Sequence, residues 1–335
     1  MRVTSGFSQK RSIRALTTVV LAVLCFLNPS ALAQGPSATG SGNNGKPKYD
    51  FETIDYPGAL GTRALGIGAQ GTIVGSFDDN SGTHGFSLQE GRFSQLDVPG
   101  AIETDAKSVN ARGEIVGYYF DSNFNLHGFY FYRGRFKTID IPFSTETRAE
   151  GINDAGVISG EYVDQAGNEH GYLLGEGKFE TFDVPNSFST DIWTIANDGW
   201  FAGDFSSETT VLAYVRTRRG DYLTLAYPGA VADAARSIND RHEVVGRWDD
   251  NSIPLDFACT TQCHGFHWSD GKFQSIDVPG ATFTVALGIN NRSQIVGRFV
   301  DSSGNEHGFL TNPWARNTLP SNQNGLAPLD LSDNE

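Results

Sequence analysis

Short apolar segments separated by Gly, Asn and Pro recur along most of this chain at a nearly constant spacing. An aromatic residue and a branched apolar residue each return at intervals of 42, 43, 43, 43 and 51 residues. The aromatic series is Phe51, Phe93, Phe136, Phe179, Tyr222 and Phe273, and the branched series is Ile67, Val109, Ile152, Ile195, Ile238 and Ile289. A period of about 40 to 50 residues built from short strand-like segments is typical of propeller blades.

Each repeat predicts four short strands joined by hairpin-length turns. The third repeat contains RAEGIN (148–153), GVISGEYV (156–163), HGYLL (170–174) and FETFDV (179–184). Apolar neighbours such as Ile73 and Val74 do not alternate with polar residues, which indicates strands covered on both faces. The sequence therefore predicts an all-β fold, a six-bladed β-propeller of about 43-residue four-stranded blades over residues 47–312.

The longest connection inside a repeat follows the FxxID strand, and we interpret it as the crossover to the next blade. With this phasing, the strand FETID (51–55) has no blade of its own, while the last repeat lacks its outer strand. We expect the N-terminal strand to complete the last blade and close the ring, because closure removes an exposed sheet edge.

A histidine and an aspartate return in most repeats at positions that face each other across the third and fourth strands. The predicted pairs are His84 with Asp97, His127 with Asp140, His170 with Asp183, His264 with Asp277 and, across the closure, His307 with Asp55. In the fourth repeat the same offset places Ala213 opposite Ala226. Five copies favour a structural role over a catalytic one, since an active site is normally built once.

A second recurrent aspartate opens the turn that precedes the histidine strand. The segment Asp78-Asp79-Asn80-Ser81-Gly82 is similar to the start of a calcium loop, but the glutamate required further along that loop is missing. We therefore favour turn-forming aspartates and expect no cofactor and no metal site, with calcium at these turns as the alternative.

Irregular positions near the predicted crossovers are the candidates for ligand binding, because a site is usually found where a repeat stops being regular. A threonine recurs there at Thr62, Thr104, Thr147, Thr190 and Thr284, either at the channel mouth or capping the inner strand. The predicted binding residues, at or beside these positions or in divergent repeats, are Arg63, Asp105, Arg148, Asp191, Asp233, Trp193 and Trp248. The tryptophans would supply stacking surfaces, or would be buried instead.

The N-terminus has the pattern of a secretory signal peptide over residues 1–33. A basic start precedes a short apolar segment, and Ala31-Leu32-Ala33 is a small-x-small cleavage site. Cleavage would change the formal net charge from −14 to −18, which argues against nucleic acids and anionic membranes as partners. We expect a secreted or periplasmic monomer with a flexible leader at 34–46 and a polar tail at 313–335.

The fifth repeat contains an insertion of eight residues that carries two cysteines. Cys259 and Cys263 are the cysteines that remain after the predicted cleavage. An even number of cysteines in an exported chain favours a disulfide. We expect a Cys259–Cys263 bond that braces a flap over the ligand face.

The repeat GINDAG…GEYVDQAGNEHGYLLGEGKFETFDVPN resembles the bacterial extracellular HAF repeats, which are named after a short His-aromatic motif. HGF and HGY in this chain match that motif, and the resemblance covers nearly all of residues 47–312. The resemblance implies export and a propeller-like β fold. It brings no established activity and no catalytic residues.

The sequence favours a non-enzymatic binding or scaffold module for an extracellular glycan or protein. It contains no Gly-rich phosphate loop, no nucleophile elbow and no HExxH motif. The alternative is a propeller hydrolase or lyase in which Asp105, Asp191 and Asp233 converge at the channel mouth.

Overall fold

The computed structural model describes residues 49–175, 177–207, 210–250 and 263–313, and the regular structure in these ranges is entirely β-strand. This confirms the predicted all-β fold class. The described part of the chain has no helix with the length and apolar character needed to cross a bilayer. The predicted signal peptide, the leader, Cys259 and all but the first residue of the predicted tail lie outside the described residues.

Antiparallel pairing groups the 24 strands in these ranges into six four-stranded modules. Module 1 contains β2 (Gly61–Ile67), β3 (Ile73–Asp78), β4 (Thr83–Gln89) and β5 (Arg92–Gln95). Module 2 contains β6 (Glu103–Val109), β7 (Ile115–Phe120), β8 (Leu126–Tyr132) and β9 (Arg135–Ile139). Module 3 contains β10 (Ser144–Ile152), β11 (Ile158–Asp164), β12 (Glu169–Gly175) and β13 (Lys178–Phe182).

The last three modules follow the same plan. Module 4 contains β14 (Ser189–Ile195), β15 (Phe201–Ser206), β16 (Val211–Arg216) and β17 (Tyr222–Leu225). Module 5 contains β18 (Ala232–Ile238), β19 (Val244–Asp249), β20 (Cys263–Ser269) and β21 (Lys272–Ile276). Module 6 contains β22 (Phe283–Ile289), β23 (Ile295–Val300) and β24 (Glu306–Pro313), and its fourth strand is β1 (Tyr49–Ile54).

The strand β1 pairs antiparallel with β24, at the opposite end of the described chain. Ile54 lies opposite Gly308, and His307 Nδ1 is 2.8 Å from Asp55 Oδ1. Hydrogen bonding joins the modules into sheets of twelve, eight and four strands, and not into one closed sheet. The parallel bridges between modules link β24 to β2, β4 to β6 and β12 to β14.

The hydrophobic cores lie between consecutive modules. Ile73 belongs to the core shared by modules 6 and 1, whereas Val74 belongs to the core shared by modules 1 and 2. Val244 and Val245 likewise face different cores. Adjacent apolar residues are therefore explained by a strand that is covered on both faces.

A further contact links the last module to the first. The side chain of Asn290 donates from Nδ2 to the carbonyl oxygen of Gly68 over 3.2 Å.

Candidate functional site

The first strand of every module carries a β-bulge at the same place. A bulge leaves one residue without a cross-strand partner and redirects its side chain. The six bulge residues line one cavity of about 440 Å³ to which all six modules contribute. We call these residues the bulge ring, and they are Leu65, Lys107, Glu150, Trp193, Arg236 and Leu287.

The bulge ring has an apolar side and a polar side. Leu287 and Leu65 come from the adjacent modules 6 and 1. On the other side, Lys107 Nζ is 3.1 Å from Glu150 Oε2. The Arg236 guanidinium lies 3.7 Å from the centroid of the Trp193 ring, close enough for a cation–π contact. The cavity therefore presents leucine methyl groups, an aromatic ring and an ion pair to one small volume.

The cationic side chains that line the cavity are paired with carboxylates of the described residues. Arg63 Nε donates to Glu306 Oε2 over 2.7 Å, and Arg236 Nη1 is 3.7 Å from Asp204 Oδ1. The full set of pairs is Arg63 with Asp78 and Glu306, Lys107 with Glu150, Arg236 with Asp204, Arg247 with Asp249, and Arg298 with Glu306. The lining is thus rich in hydrogen-bonding groups, and its positive charges are compensated by carboxylates.

Three of the predicted binding residues line this cavity, and two others belong to a separate group of charged side chains. Arg63, Asp105 and Trp193 are in the lining. Arg148 and Asp191 are not, and instead belong to a buried group of charged side chains at the junction of modules 3 and 4. The variable residues next to the threonines therefore form only part of the cavity lining. The bulge residues two positions further along complete it, and a one-residue irregularity in each strand gives no signal in a single sequence.

This group of charged side chains contains three carboxylates from three different strands, which we call the carboxylate cluster. Glu161 and Asp191 are buried, whereas the Glu169 side chain is 34% exposed. One oxygen from each of Glu161, Glu169 and Asp191 lies within 4.8 Å of the other two. Arg148 Nη1 lies 3.3 Å from Glu161 Oε1 and 4.0 Å from Glu169 Oε1. Burial raises the pKa of Glu161 to about 8 and also raises the pKa of Asp191, with neighbouring carboxylates contributing to both.

The recurrent threonines are buried and cap the crossover turns. Thr104 Oγ1 accepts a hydrogen bond from the Val98 backbone N–H at 3.2 Å, and the same contact forms in four other modules. In module 5 Asp233 takes this place, and its Oδ1 accepts the Tyr227 backbone N–H at 3.1 Å. Asp233 is therefore a replacement for the capping threonine and does not line the cavity. Burial raises its pKa to about 7.

Replacement of Asp233 with threonine is expected to stabilise the protein increasingly as the pH rises. The folded state keeps the Asp233 proton up to about pH 7, whereas the unfolded chain releases it near 3.8. Wild-type stability is therefore lost between these values. Asp233→Thr removes this loss and keeps an acceptor for Tyr227. We expect a gain on the order of 2–4 kcal/mol above pH 7, and a much smaller gain near pH 4.

Urea unfolding of wild type and Asp233→Thr between pH 4 and pH 8 measures this difference. The reciprocal control is Thr62→Asp, which places an aspartate in the equivalent cap of module 1. It should destabilise the protein above pH 7. Parallel pH profiles for wild type and Asp233→Thr would contradict the assignment of the buried proton to Asp233.

Trp248 stacks within the outer part of module 5, and it is not among the residues that line the cavity. Its ring is 4.2 Å from that of Tyr227 at an interplanar angle of 5°, and 4.4 Å from that of His264. Phe77 stacks on Tyr56 and contacts His84 at a tilt, and Phe299 stacks on His307. Trp248 is therefore the module 5 form of a packing position.

Each of the five predicted His–Asp pairs is in hydrogen-bond contact through the Nδ1 atom of the histidine. The Nδ1 to carboxylate distances are 2.9 Å at His84, 2.7 Å at His127, 3.0 Å at His170, 2.7 Å at His264 and 2.8 Å at His307. Partial burial disfavours the charged form of His84, but the hydrogen bonds and negative charges of Asp97 and Asp79 together outweigh it and raise the histidine pKa.

The prediction for the fourth repeat was wrong by one residue. Ala213 lies opposite Leu225, so it takes the position of the glycine that follows the histidine. Leu212 takes the histidine position, because it lies opposite Phe205 as His170 lies opposite Tyr162. The hairpin between β16 and β17 is one residue longer than its equivalent in module 3, so a constant offset fails there.

The turn aspartates of modules 2, 3 and 6 satisfy their carboxylates within their own turns, whereas Asp78 and Asp249 pair with Arg63 and Arg247. Asp121 Oδ1 accepts the backbone N–H groups of Asn123 and Asn125 at 2.8 and 2.9 Å. Asp164 and Asp301 make the same contacts. This is the geometry of an Asx turn, which accounts for the recurrence without a bound ion.

Comparison with known proteins shows a likeness of fold. No protein-family model matches the chain, and no curated protein matches it in sequence. The putative TolB from Agrobacterium tumefaciens superposes with a TM-score of 0.54 at 11% identity, over 79% of this chain and 98% of that one. A streptogramin B lyase gives 0.46 at 13% identity, over 79% and 98%. The Aleuria aurantia lectin gives 0.49 at 14% identity, over 77% and 93%. The likeness to the TolB protein, a β-propeller, together with the strand order agrees with a propeller-like all-β fold.

Proposed function

We propose that this protein is an exported, closed six-bladed propeller that binds the end of an extracellular glycan in its cavity without catalysis. The bulge ring is the observation that carries the proposal. One side chain from each module lines the same cavity, and these six side chains range from leucine to lysine, arginine, glutamate and tryptophan. A repeat protein that diversifies one ring of positions has the arrangement expected of a binding site.

The chemistry of the ring suits a sugar. Trp193, with the Arg236 guanidinium packed on its ring at 3.7 Å, supplies an aromatic and cationic surface, and the leucine side chains of the ring would cover the apolar edges of a ring-shaped ligand. The paired charges, such as Lys107 with Glu150, supply donors and acceptors to hydroxyl groups without demanding a charged ligand. A cavity of about 440 Å³ lies within the size range of small-ligand sites.

The closed ring is supported by the contacts between the first and last modules. The β1–β24 pairing completes module 6 with the strand from the start of the domain, and the parallel β24–β2 bridge and the Asn290 to Gly68 hydrogen bond join module 6 to module 1. Export as a HAF-repeat protein rests on the N-terminal pattern and the repeat motif. The disulfide-braced flap of module 5 belongs to the same proposal, and Cys259 lies outside the described residues.

The hydrolase or lyase alternative is less well supported, because its three aspartates occupy three different environments. Asp105 lines the cavity, Asp191 belongs to the carboxylate cluster, and Asp233 caps a buried turn. A general acid and a general base must both reach one substrate. We therefore favour binding without turnover.

A glycan array probed with the protein starting at Gln34 tests this proposal. Trp193→Ala should weaken binding of the selected glycan at least tenfold, because it removes the only aromatic face of the bulge ring. Trp248→Phe is the matched control, since phenylalanine occupies this position in modules 1 and 6, and binding should be unchanged. Equal losses in both variants, or turnover that Asp105→Asn abolishes, would contradict the proposal.

A further inference from the structure

The carboxylate cluster lies outside the cavity lining, and glycan binding does not use it. Glu161 is on β11, Glu169 begins β12 and Asp191 is on β14. The side chain of Glu161 is 5% exposed, and Asp191 is 9% exposed. Within the described residues, Oε2 of Glu161 and Oδ1 of Asp191 accept no hydrogen bond. Two buried carboxylate oxygens without a donor are costly unless a cation lies against them.

At the junction of modules 6 and 1, the three residues at the equivalent positions neutralise one another's charges. There Glu306 accepts a hydrogen bond from Arg63 Nε at 2.7 Å, and its second oxygen accepts one from Arg298 Nη1. One carboxylate is thus held between two guanidinium groups. The negative charge of Glu306 is therefore compensated by cations of the chain itself, and no bound ion is needed.

The positions correspond one to one between the two junctions. Glu161 and Arg298 each follow the glycine of the second strand, and Glu169 and Glu306 each precede the histidine. Asp191 and Arg63 each follow the capping threonine. The junction of modules 3 and 4 therefore has carboxylates where the other junction has both of its arginines.

Within the described residues, Arg148 is the cation in ion-pair contact with the cluster, while Lys107 and Arg236 act on it from further away. Arg148 contacts Glu161 and Glu169, at 3.3 and 4.0 Å. Asp204, on the neighbouring strand β15, adds a further carboxylate, which accepts the Trp193 Nε1–H at 2.6 Å. Ionisation of all three carboxylates beside one guanidinium would leave an excess of negative charge, which a bound proton or a bound cation must compensate in a largely buried site.

We propose that Glu161, Glu169 and Asp191 bind one divalent cation, with Ca²⁺ as the preferred ion. Calcium takes carboxylate oxygens at about 2.3–2.6 Å, so one ion can contact oxygens that are up to about 5 Å apart. The oxygens of the cluster satisfy this limit. An all-oxygen set favours a hard cation over zinc or copper, and water can complete the coordination.

Calorimetric titration of EDTA-treated protein with CaCl₂ tests the proposal. We expect one site per chain, a thermal midpoint that rises with Ca²⁺, and an affinity at least tenfold weaker in Glu161→Gln and Asp191→Asn. Asp105→Asn is the matched control, because Asp105 holds the same strand position in module 2, and it should bind Ca²⁺ as the wild type does. Circular dichroism verifies that each variant is folded.

A second variant keeps the test decisive if a single substitution disturbs folding. The double variant Glu161→Arg with Asp191→Arg copies the junction of modules 6 and 1, so it should fold without metal and give no Ca²⁺ response. The proposal is overturned if folded wild type binds none of Ca²⁺, Mn²⁺ or Mg²⁺ at millimolar concentration. It is also overturned if Asp191→Asn retains full affinity while Asp164→Asn, in the turn, loses it.

Discussion

Removal of β1 is expected to cost the protein on the order of 5 kcal/mol of unfolding free energy and to lower its thermal midpoint by roughly 10 °C or more. Tyr49 and Ile54 are buried, and Phe51 packs edge to face on Phe309 at 5.6 Å. Without β1, the backbone of β24 becomes an exposed sheet edge. The loss should therefore include cooperativity and solubility as well as stability.

Three chains that start at Gln34, Tyr49 and Pro57 separate this effect from simple shortening. Thermal unfolding should be nearly the same for the first two, because the second keeps all of β1. The third should unfold at lower temperature and over a broader range. Equal midpoints for the chains that start at Tyr49 and Pro57 would contradict a structural role for β1.

Substitution of Gly117 by alanine is expected to destabilise the protein by about 3 kcal/mol or more. A Cβ atom at this position would overlap the carbonyl oxygen of Asp105 on the neighbouring strand and would lie 2.8 Å from the ring of Phe129. Displacing either group has a large free-energy cost, because one is strand backbone and the other is a fully buried ring. The glycine of the second strand is therefore required by close approach.

Gly61→Ala is the matched control for this substitution. A Cβ atom there would find its nearest neighbour, Glu306 Cβ, at 3.5 Å, which is ordinary contact. Urea unfolding should show a change of less than about 1 kcal/mol for Gly61→Ala. Similar free energies for the two variants would show that the second strand can separate from the first without penalty.

Most of the fold could be predicted from the repeat period, because each module is defined by local turns and by apolar residues on both faces of its strands. Ile73 and Val74 could be assigned to a strand between two cores from their adjacency alone. The pairing of Asp55 with His307 followed from counting an orphan strand at one end and a missing strand at the other. In contrast, Ala213 was wrongly assigned to the histidine position, which Leu212 occupies, because the hairpin that follows it is one residue longer than in the other modules compared.

The candidate sites were less accessible from the sequence, because they depend on geometry that the repeat does not encode locally. Lys107, Glu150 and Arg236 reach the cavity through a bulge, which a pattern of alternating faces does not reveal. Glu161 and Glu169 meet Asp191 across two modules, and their proximity depends on how neighbouring modules pack. Asp233 was selected because it departs from the repeat, but it departs only because it replaces the threonine that caps the crossover turn in the other modules.

Fluorine NMR of protein labelled with 5-fluorotryptophan tests most directly whether the cavity is the glycan site. The spectrum is recorded while the best ligand from the glycan array is added. The Trp193 resonance, assigned with Trp193→Phe, should shift saturably, whereas the Trp248 resonance, assigned with Trp248→Phe, should stay in place. A saturable shift of Trp248 with an unmoved Trp193, or no array ligand at all, would contradict the account.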